Sequence, residues 1–341
     1  MTLRIALLGV EHYHANFWVK AFLQSDGVAV AGVWNLDPEV ATRFAETHGI
    51  RLWEDGDALA AASDAVAICS ATADHLHIVG IAARHGKPIL CEKPLGVSLG
   101  DWAAIADVVA RSGVAFMQSF PKRFDPVNHE IEGLLSRQAL GSIGMCRIRH
   151  GHDHGLDPGF RKAWFMDPAR SGGGTLLDEG IHAADFLRFL FGEPDSVFAT
   201  ISSSTLGLPV EDTALAVFRY RNGMIAEVAT SWCFPAADAS IEIYGTEGTI
   251  LLAGVDIASR QSRESGFLRI FTRGTGWSDS PTVPHFKTGV FHEHVAWAFV
   301  AALRSGCPMP VTLEDGYRAS AMIEAAYRSA RTGMVGTIDF G

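Results

Sequence analysis

The sequence predicts an α/β protein with two domains, a doubly wound parallel sheet followed by a domain built on an antiparallel sheet. The first third of the chain alternates short β-branched runs with helical patterns, which is typical of a parallel sheet. From Val197 onward, strand patterns follow one another without helices between them. The 341 residues exceed what one ordinary core usually holds, so we place a first domain at residues 1–121 and a second at 122–341.

The first domain has clear element signals. Asp37 is a suitable N-cap for the second helix, and Pro38 fits its first position, where a missing N–H costs nothing. Gly113 is a suitable stop for a helix that ends near Arg111. Strands are predicted at 3–8, 28–33, 65–69, 88–91 and 115–118, and helices at 38–48, 77–85 and 99–111.

The second domain opens with the proline-rich stretch SFPKRFDP at residues 119–126. Asn222 and Gly223 in RNG tolerate the positive φ angles of a hairpin turn, so RNG predicts a turn between two strands. Strands are predicted near 143–149, 197–202, 213–220, 224–232, 239–244 and 249–252, and helices near 128–137, 289–304 and 313–332.

Composition excludes several classes of partner. The formal net charge is −10 without a cluster of Lys and Arg, which disfavours a nucleic-acid or membrane surface and favours small-molecule partners. Five scattered cysteines without a C-x-x-C motif indicate reduced thiols. The N-terminus has no basic and apolar leader pattern, and no apolar run is long enough to cross a bilayer. We therefore expect a soluble cytoplasmic protein.

The stretch GVEHYH, residues 9–14, follows the first strand. A dinucleotide-binding βαβ unit has G-x-G-x-x-G there, and only Gly9 of the three glycines is present. Glu11 stands where bare backbone would approach a pyrophosphate, and His14 where close helix packing favours a small residue. After the second strand, Asn35 takes the place of the carboxylate that usually accepts the ribose hydroxyls of NAD, so NAD and NADP both stay open. A strand-to-helix turn without a ligand is the alternative.

Ligands of a doubly wound sheet lie beyond the carboxyl ends of its strands. We expect the loops after the first, fourth and fifth strands to converge there, and they carry GVEHYH, SATADHLH and CEKPL. In CEKPL, Lys93 directly follows a buried strand, where core packing does not explain a lysine. Partial burial lowers the pKa of a lysine and lets it give a hydrogen bond or a proton to a substrate oxygen. The alternative is a surface Lys93 paired with Glu92.

The stretch SGGGTLLDEGIHAADF, residues 171–186, joins a glycine run to a helical pattern. The glycines give a flexible entry whose backbone N–H groups can face a ligand. Asp178 and His182 are four residues apart, which predicts neighbours on one helix face, with Asp185 on the same side. A histidine can take the proton of a polyol hydroxyl as hydride leaves carbon, while a carboxylate fixes its tautomer. A local hydrogen bond at a helix start is the alternative.

Taken together, these stretches resemble the Gfo/Idh/MocA family of oxidoreductases along nearly the whole chain. The similarity is carried by Gly9, by Thr72 and His77 of a T-P-N-x-x-H-like segment, and by CEKPL, RFDP (123–126), GGGTLLDEGIH and EAAYRSARTG. The resemblance implies an N-terminal Rossmann domain, a C-terminal α/β domain on an open, mostly antiparallel sheet, and NAD(P)-linked oxidation or reduction of a sugar, inositol or related polyol. It also implies that His182 is the acid/base, that Lys93 polarises the reacting oxygen and that Asp178 orients it.

The resemblance, with the loop positions above, gives a set of expected contacts. Cofactor contacts are expected from Gly9, Glu11, His12, Asn35, Ser70, Thr72, Asp74, His77, Glu92 and Lys93. Substrate contacts are expected from Lys93, Arg123, Arg161, Trp164, Asp178 and His182. We also expect a homodimer or homotetramer.

The departures from the family pattern, Glu11, His14, Asn35 and Asp74, all fall on the cofactor side. Carboxylates at Glu11 and Asp74 should weaken pyrophosphate binding unless they turn away or are offset, for example by protonation of His12 or His14. Two other functions therefore stay open. One is an enzyme that retains NAD and cleaves glycosides or eliminates without net redox change. The other is a non-catalytic sugar-binding or regulatory protein.

The histidines raise the question of a metal. His12, His14, His75 and His77 with Asp74 could hold Zn²⁺. His77 already matches a family position that needs no metal, so no metal is predicted. HGHDH at residues 150–154 is interpreted as a polar pocket rim or a solvated loop, and FHEHVAW at 291–297 as a helix face.

Overall fold

The computed structural model describes residues 2–235, 239–253 and 265–340. The described chain falls into two compact units. Unit 1 comprises Met1–Pro121, Ala169–Gly172 and His292–Tyr317, and unit 2 comprises Lys122–Pro168, Gly173–Phe291 and Arg318–Gly341. The short segment at 169–172 and the segment at 292–317 therefore group with unit 1, whereas the sequence placed both in the second domain.

Unit 1 is built on a parallel sheet. Its strands are β1 (Leu3–Leu8), β2 (Val28–Trp34), β3 (Ala65–Ile68), β4 (Ile89–Cys91) and β5 (Phe116–Gln118). The helices before residue 121 are α1 (Ala15–Leu23), α2 (Pro38–His48), α3 (Gly56–Ala61), α4 (His75–Arg84) and α5 (Leu99–Ser112). Within the described ranges the five strands all run parallel, in the order β2-β1-β3-β4-β5. This confirms the predicted doubly wound sheet.

Local signals placed several elements of unit 1 correctly. Asp37 caps α2, because its carboxylate accepts the N–H of Glu39 at 2.9 Å, and Pro38 takes the first helical position. Helix α5 ends at Gly113, which is left-handed with φ 66°. The loops GVEHYH, SATADHLH and CEKPL follow β1, β3 and β4, so the expected strand count was wrong for two of them. Among the described residues only β2 lies between β1 and β3 in the chain, so the latter two loops follow the third and fourth strands.

The remaining elements follow in chain order, and most belong to unit 2. The helices are α6 (Pro126–Ser136), α7 (Pro168–Ser171), α8 (Thr175–Asp178), α9 (Gly180–Phe191), α10 (His285–Thr288), α11 (Glu293–Ser305) and α12 (Leu313–Thr332). The strands are β6 (Ile143–Gly151), β7 (Ser196–Ser202), β8 (Thr213–Arg219), β9 (Ile225–Ser231), β10 (Ala239–Gly245), β11 (Gly248–Ala253), β12 (Leu268–Thr272), β13 (Gly276–Asp279) and β14 (Gly336–Thr337).

The strands of unit 2 form one sheet of nine among the residues described, in the order β13-β12-β11-β10-β6-β9-β8-β7-β14. Neighbours are antiparallel except β6 and β9, which run parallel. The open, mostly antiparallel sheet is therefore confirmed. The RNG turn joins β8 to β9, with Gly223 at φ 89°.

The two faces of this sheet differ in what covers them. Helices α8 and α9 pack on one face, where Ala214, Ala216 and Phe218 of β8 are buried. The residues between them alternate to the other face, as a pleated strand requires, and Leu215 is exposed there. Among the described helices, none combines the length and the apolar character that a membrane span requires.

Candidate functional site

The loop after β1 is filled by side chains where a phosphate-binding loop has glycines. His14, at the position of the third glycine, is 2% exposed, and its ring packs on His292 with 3.7 Å between centroids. Its Nδ1 lies 3.3 Å from Oε2 of Glu92. Gly9 is retained at φ 82°, and a Cβ there would collide with Ser70. The turn therefore still needs its first glycine, whereas the third position has become part of the core of unit 1.

Glu11, at the position of the second glycine, is paired with an arginine that sequence reasoning missed. The guanidinium of Arg170 lies 2.8 Å from the Glu11 carboxylate and 3.2 Å from that of Asp74, all within unit 1. Burial and the neighbouring His14 hold the pKa of His12 well below its usual value, which disfavours an offset by a protonated His12. The cation beside the two extra carboxylates is Arg170.

Asn35 supports the loop from the end of β2. Its Oδ1 accepts the N–H of Val10 at 2.9 Å, and its Nδ2 donates to the carbonyl oxygen of Asp37 at 3.3 Å. The amide is 3% exposed. Its hydrogen bonds in this structure fix the loop backbone, and a ribose contact stays a prediction.

The segment after β3 divides into buried and exposed positions. Ser70 and Thr72 are each 2% exposed, whereas His77 lies exposed on α4. His75 is buried, and its Nδ1 donates to the carbonyl oxygen of Pro94 at 3.0 Å. His75 and His77 thus face different surroundings, which does not support one metal site made of the four histidines.

The structure instead brings His12 and His14 together with Glu92, and their nearest ligand atoms lie within 4.8 Å of one another. The N–H of His14 donates to Nδ1 of His12 at 3.2 Å. A neutral His12 therefore carries its own proton on Nε2, where a metal would need a lone pair. This hydrogen bond favours a packed pair of histidines over metal ligands.

Lys93 and Glu92 are buried at the end of β4, with 2% and 0% of their surfaces exposed. The backbone N–H of Lys93 donates to Oε1 of Glu92 at 3.0 Å. The alternative of a surface Lys93 paired with Glu92 is wrong, because both residues are buried. Lys93 is thus a buried lysine that directly follows a parallel strand. This is the position that the sequence analysis associated with a group that acts on a ligand.

The glycine run of unit 2 is packed against Glu211 and Tyr327. The N–H groups of Gly174 and Leu176 donate to the Glu211 carboxylate at 2.9 and 3.0 Å, and the Tyr327 hydroxyl donates to it at 2.6 Å. A Cβ at Gly174 would collide with the backbone of Glu211, and one at Gly173 with the hydroxyl of Tyr327. The expectation that these N–H groups face a ligand is wrong for Gly174 and Leu176, because a buried carboxylate of the chain itself accepts them.

Asp178 and His182 follow the glycine run on two consecutive helices. Asp178 ends α8 and α9 begins at Gly180, while Glu179 between them keeps a right-handed helical conformation, with φ −98° and ψ −36°. That Asp178 and His182 share one helix face stays a prediction. Asp178 accepts the Nε1–H of Trp232 at 3.2 Å. His182 is 6% exposed, and its ring meets that of His150 edge to face, with centroids 5.2 Å apart.

The HGHDH stretch is buried at its start. His150 and His152 are 7% and 2% exposed, so a solvated loop is wrong for them. Their Nε2 atoms lie 3.0 and 3.1 Å from the two carboxylate oxygens of Glu179. Burial by itself would raise the pKa of Glu179, but His152 and His150 together lower it well below its usual value. The carboxylate therefore stays ionised between two imidazoles.

The other predicted substrate residues have partners within unit 2. Arg123 forms a bidentate pair with Asp185, with Nη2 2.6 Å from Oδ1. Arg161 is exposed, and its Nε donates to the carbonyl oxygen of Gly155 at 2.7 Å. Trp164 stacks on Phe165 with centroids 4.0 Å apart. A substrate contact from Arg123, Arg161 or Trp164 stays a prediction.

Comparison with known protein families matches both units. The family described as "Oxidoreductase family, NAD-binding Rossmann fold" matches residues 3–120, and "GFO/IDH/MocA C-terminal domain" matches residues 129–251. The chain belongs to the Gfo/Idh/MocA family of oxidoreductases. The resemblance inferred from the sequence is confirmed, and unit 1 is the NAD-binding Rossmann domain of this family member.

Relatives match the chain over nearly its whole length. It is 26% identical to 1,5-anhydro-D-fructose reductase of Ensifer adhaerens, with 96% of each chain covered. It is 28% identical to inositol 2-dehydrogenase of Rhizobium meliloti (strain 1021), with 96% of this chain and 97% of the relative covered. In fold it is similar to an oxidoreductase from Agrobacterium radiobacter in complex with NAD⁺, L-tartaric acid and magnesium, with a TM-score of 0.84, 23% identity and 99% of each chain covered.

Three residues important to the site of this Gfo/Idh/MocA member were missed. Arg170 lies two residues before the glycine run, Glu211 precedes β8, and Glu179 lies between Asp178 and His182, two of the residues predicted to be catalytic. Arg170 could have been found by asking which cation neutralises Glu11 and Asp74. Glu179 could have been noted as a carboxylate close in sequence to His182. Nothing in the sequence ties Glu211 to the glycines.

Proposed function

We propose that this chain is an NAD(P)-dependent oxidoreductase that transfers a hydride between the nicotinamide ring and a CH–OH carbon of a sugar, inositol or related polyol. The observation that carries the proposal is the buried His182 following Asp178 in unit 2, preceded by the glycine run that the family pattern also has. The relatives support the substrate class, since one is named a reductase of an anhydro sugar and another an inositol dehydrogenase.

The residues of unit 1 fit a dinucleotide on two counts. Gly9 keeps the turn after β1 tight, and Arg170 neutralises carboxylate charge that would otherwise repel a pyrophosphate. The cofactor, when bound, supplies the acceptor or donor of the hydride. We propose that the predicted cofactor residues, from Gly9 to Lys93, contact the dinucleotide, and that Arg170 acts by neutralising Glu11 and Asp74.

The proposed roles of the catalytic residues follow from their chemistry. Lys93 donates a hydrogen bond to the reacting oxygen and favours its developing negative charge. A ring nitrogen of His182 takes the hydroxyl proton in oxidation and returns it in reduction. Asp178, held by Trp232, orients the substrate hydroxyl. These assignments stand on the family pattern and on the burial of Lys93 and His182.

Binding comes first in the test. The protein, freed of bound molecules by denaturation and refolding, is titrated with NADH and NADPH while nicotinamide fluorescence is followed, and is then screened with sugars and polyols. Binding followed by turnover supports the proposal. A dinucleotide that co-purifies without turnover of added NAD supports the retained-cofactor hypothesis, and no binding up to millimolar cofactor supports the non-catalytic one.

Replacement of His182 by alanine tests its role. We expect kcat on the best substrate to fall by about 10²-fold or more, because general acid/base assistance contributes that much. His129→Ala is the matched control, since His129 is an exposed histidine of the same unit and pairs with Glu132. If kcat of His182→Ala equals that of the control, His182 is not the acid/base.

We also propose that the enzyme is a cytoplasmic homo-oligomer that associates through the outer face of the nine-stranded sheet. Phe198, Leu215 and Ile225 are 46%, 38% and 39% exposed on the neighbouring strands β7, β8 and β9. Apolar side chains grouped on an open sheet face favour a self-complementary interface. Light scattering of the wild type and of Leu215→Lys tests association through this face, because the introduced charge should shift the measured mass toward the monomer.

The proposed cytoplasmic location is supported by the free thiols of the five cysteines, which suit a reducing compartment.

A further inference from the structure

Glu179 is a buried carboxylate for which the proposed reaction has no direct use. It is 7% exposed and occupies the break between α8 and α9, next to Asp178 and three residues before His182. Ionised groups are rarely buried this deeply unless they are paired and hydrogen-bonded. Its partners, His150 and His152, belong to the HGHDH stretch, which the proposed function also leaves unused.

The hydrogen bonds around Glu179 define which nitrogens carry protons. The backbone N–H of His154 donates to Nδ1 of His152 at 3.1 Å, so the proton of a neutral His152 sits on Nε2. That Nε2–H points at Oε1 of Glu179, 3.1 Å away, and Nε2 of His150 lies 3.0 Å from Oε2. Both carboxylate oxygens thus face an imidazole, and the rings are fixed in orientation by the charge between them.

The same arrangement reaches His182 through His150. The ring of His150 meets the ring of His182 at an interplanar angle of 71° and a centroid distance of 5.2 Å. Both side chains are buried, so the position of one ring limits the positions open to the other. A base must meet its proton within hydrogen-bond reach, and a shift of about 1 Å can cost about 10²-fold in rate.

We propose that Glu179 is a positioning residue for His182: it orients His150, and the ring of His150 sets the plane in which His182 meets the reacting hydroxyl. The proposal rests on the proposed function of His182 as acid/base. Glu179 does not touch the reacting atoms in this scheme. It acts on His182 through the imidazole ring of His150.

A metal is the competing explanation for the same side chains. His152, Asp178 and Glu179 place ligand atoms within 4.8 Å of one another. The hydrogen bond from the His154 N–H, however, leaves the proton of neutral His152 on Nε2, the atom that faces Glu179. Hydrogen bonding to Glu179 is therefore favoured over metal binding, and a chelator distinguishes the two.

The kinetic test compares Glu179→Gln, Glu179→Asp, His182→Ala and the double variant Glu179→Gln/His182→Ala. Gln places an NH₂ group where one imidazole N–H donates, so it breaks one of the two contacts while keeping the volume. We expect Glu179→Gln to lower kcat by about 10-fold or more with KM changed less than about 2-fold, and Glu179→Asp to recover part of the loss. In the His182→Ala background Glu179→Gln should have no further effect. Equal losses in both backgrounds would overturn the proposal.

Controls separate positioning from folding and from metal binding. Glu193→Gln, just beyond the end of α9, removes an exposed carboxylate paired with Arg188 and Arg318, and should leave kcat unchanged. Thermal unfolding of each variant shows whether the chain is folded. Activity of the wild type that is lost with a chelator and restored by Zn²⁺ would make Glu179 a metal ligand and overturn the proposal.

A readout without substrate keeps the inference separate from the proposed function. In ¹⁵N-histidine NMR spectra, Glu179→Gln should shift the ring signals of His182 as well as those of His150 and His152, identified by single-histidine variants. Ring signals of His182 that do not move would overturn the inference. If the wild type turns over no sugar or polyol, the proposed function fails, and the spectra still decide whether Glu179 acts on His182.

Discussion

Two stretches of this chain match glycine-rich motifs of the family, GVEHYH after β1 and SGGG before α8, and they differ in whether the glycines are kept. In the first, two of three family glycines are replaced, and the new side chains find partners in unit 1: Glu11 pairs with Arg170, and His14 packs between Glu92 and His292. In the second, the glycines remain, and Gly173 and Gly174 touch Tyr327 and Glu211 of their own unit.

The difference teaches what each glycine is for. A glycine that leaves room for a ligand can be replaced when a second residue compensates for the charge or volume that the replacement adds. A glycine that leaves room for the chain's own backbone has no such remedy, because the colliding atoms belong to the fold. Gly9 belongs to the second kind although it lies in the first stretch, since its Cβ would meet Ser70.

The largest effect is expected from Gly174→Ala. Its Cβ would overlap the backbone of Glu211, which the Gly174 N–H also binds, so strain adds to a weakened buried hydrogen bond. We expect a loss of roughly 3 kcal/mol in the free energy of unfolding, measured by urea denaturation followed through tryptophan fluorescence. Gly133→Ala in α6 is the matched control, because a Cβ there meets only the end of the Arg137 side chain. It should stabilise the protein by about 0.5 kcal/mol or more. Equal stabilities for the two variants would break the comparison.

The sequence predicted well what short-range patterns determine. The cap at Asp37, the stop at Gly113 and the RNG turn depend on neighbours within a few residues, and all three were confirmed. The parallel and antiparallel sheets followed from the presence or absence of helices between strands. The division into α8 and α9 at Glu179 was not predicted, because the pattern from Thr175 to Phe191 has helical spacing throughout.

The sequence predicted several residues of the candidate site but not the residues that pair with them. Glu11 and Asp74 were recognised as carboxylates that need a compensating positive charge. The residue that supplies it, Arg170, lies 159 residues from Glu11 in the chain. Glu211 lies 37 residues beyond Gly174, with the helices α8 and α9 and the strand β7 between them. Such pairs are set by tertiary packing, and a single sequence carries no local signal for them.

A smaller effect is expected when a lost glycine is restored by His14→Gly. The substitution removes a buried ring and leaves Oε2 of Glu92 without its imidazole, and we expect a loss of roughly 2 kcal/mol in unfolding free energy. His77→Gly is the control: it costs about 0.5 kcal/mol through helix propensity alone, a cost that glycine at the N-cap position of His14 does not carry. A His14→Gly variant no less stable than His77→Gly would mean that the ring is not part of the core of unit 1.

The smallest and most specific effect concerns Arg170. Arg170→Gln keeps hydrogen bonding but removes the cation beside Glu11 and Asp74, so we expect the affinity for NADH to fall by about 10-fold, less at high salt. In the background Glu11→Gln/Asp74→Asn the same change should cost less than about 2-fold, because no carboxylate is left to neutralise. Arg111→Gln, an exposed arginine of α5 paired with Asp107, is the control and should leave the affinity unchanged. If Arg170→Gln weakened NADH binding equally in both backgrounds, Arg170 would contact the dinucleotide itself. The side chain of Glu11 would then have been accommodated by some means other than charge compensation.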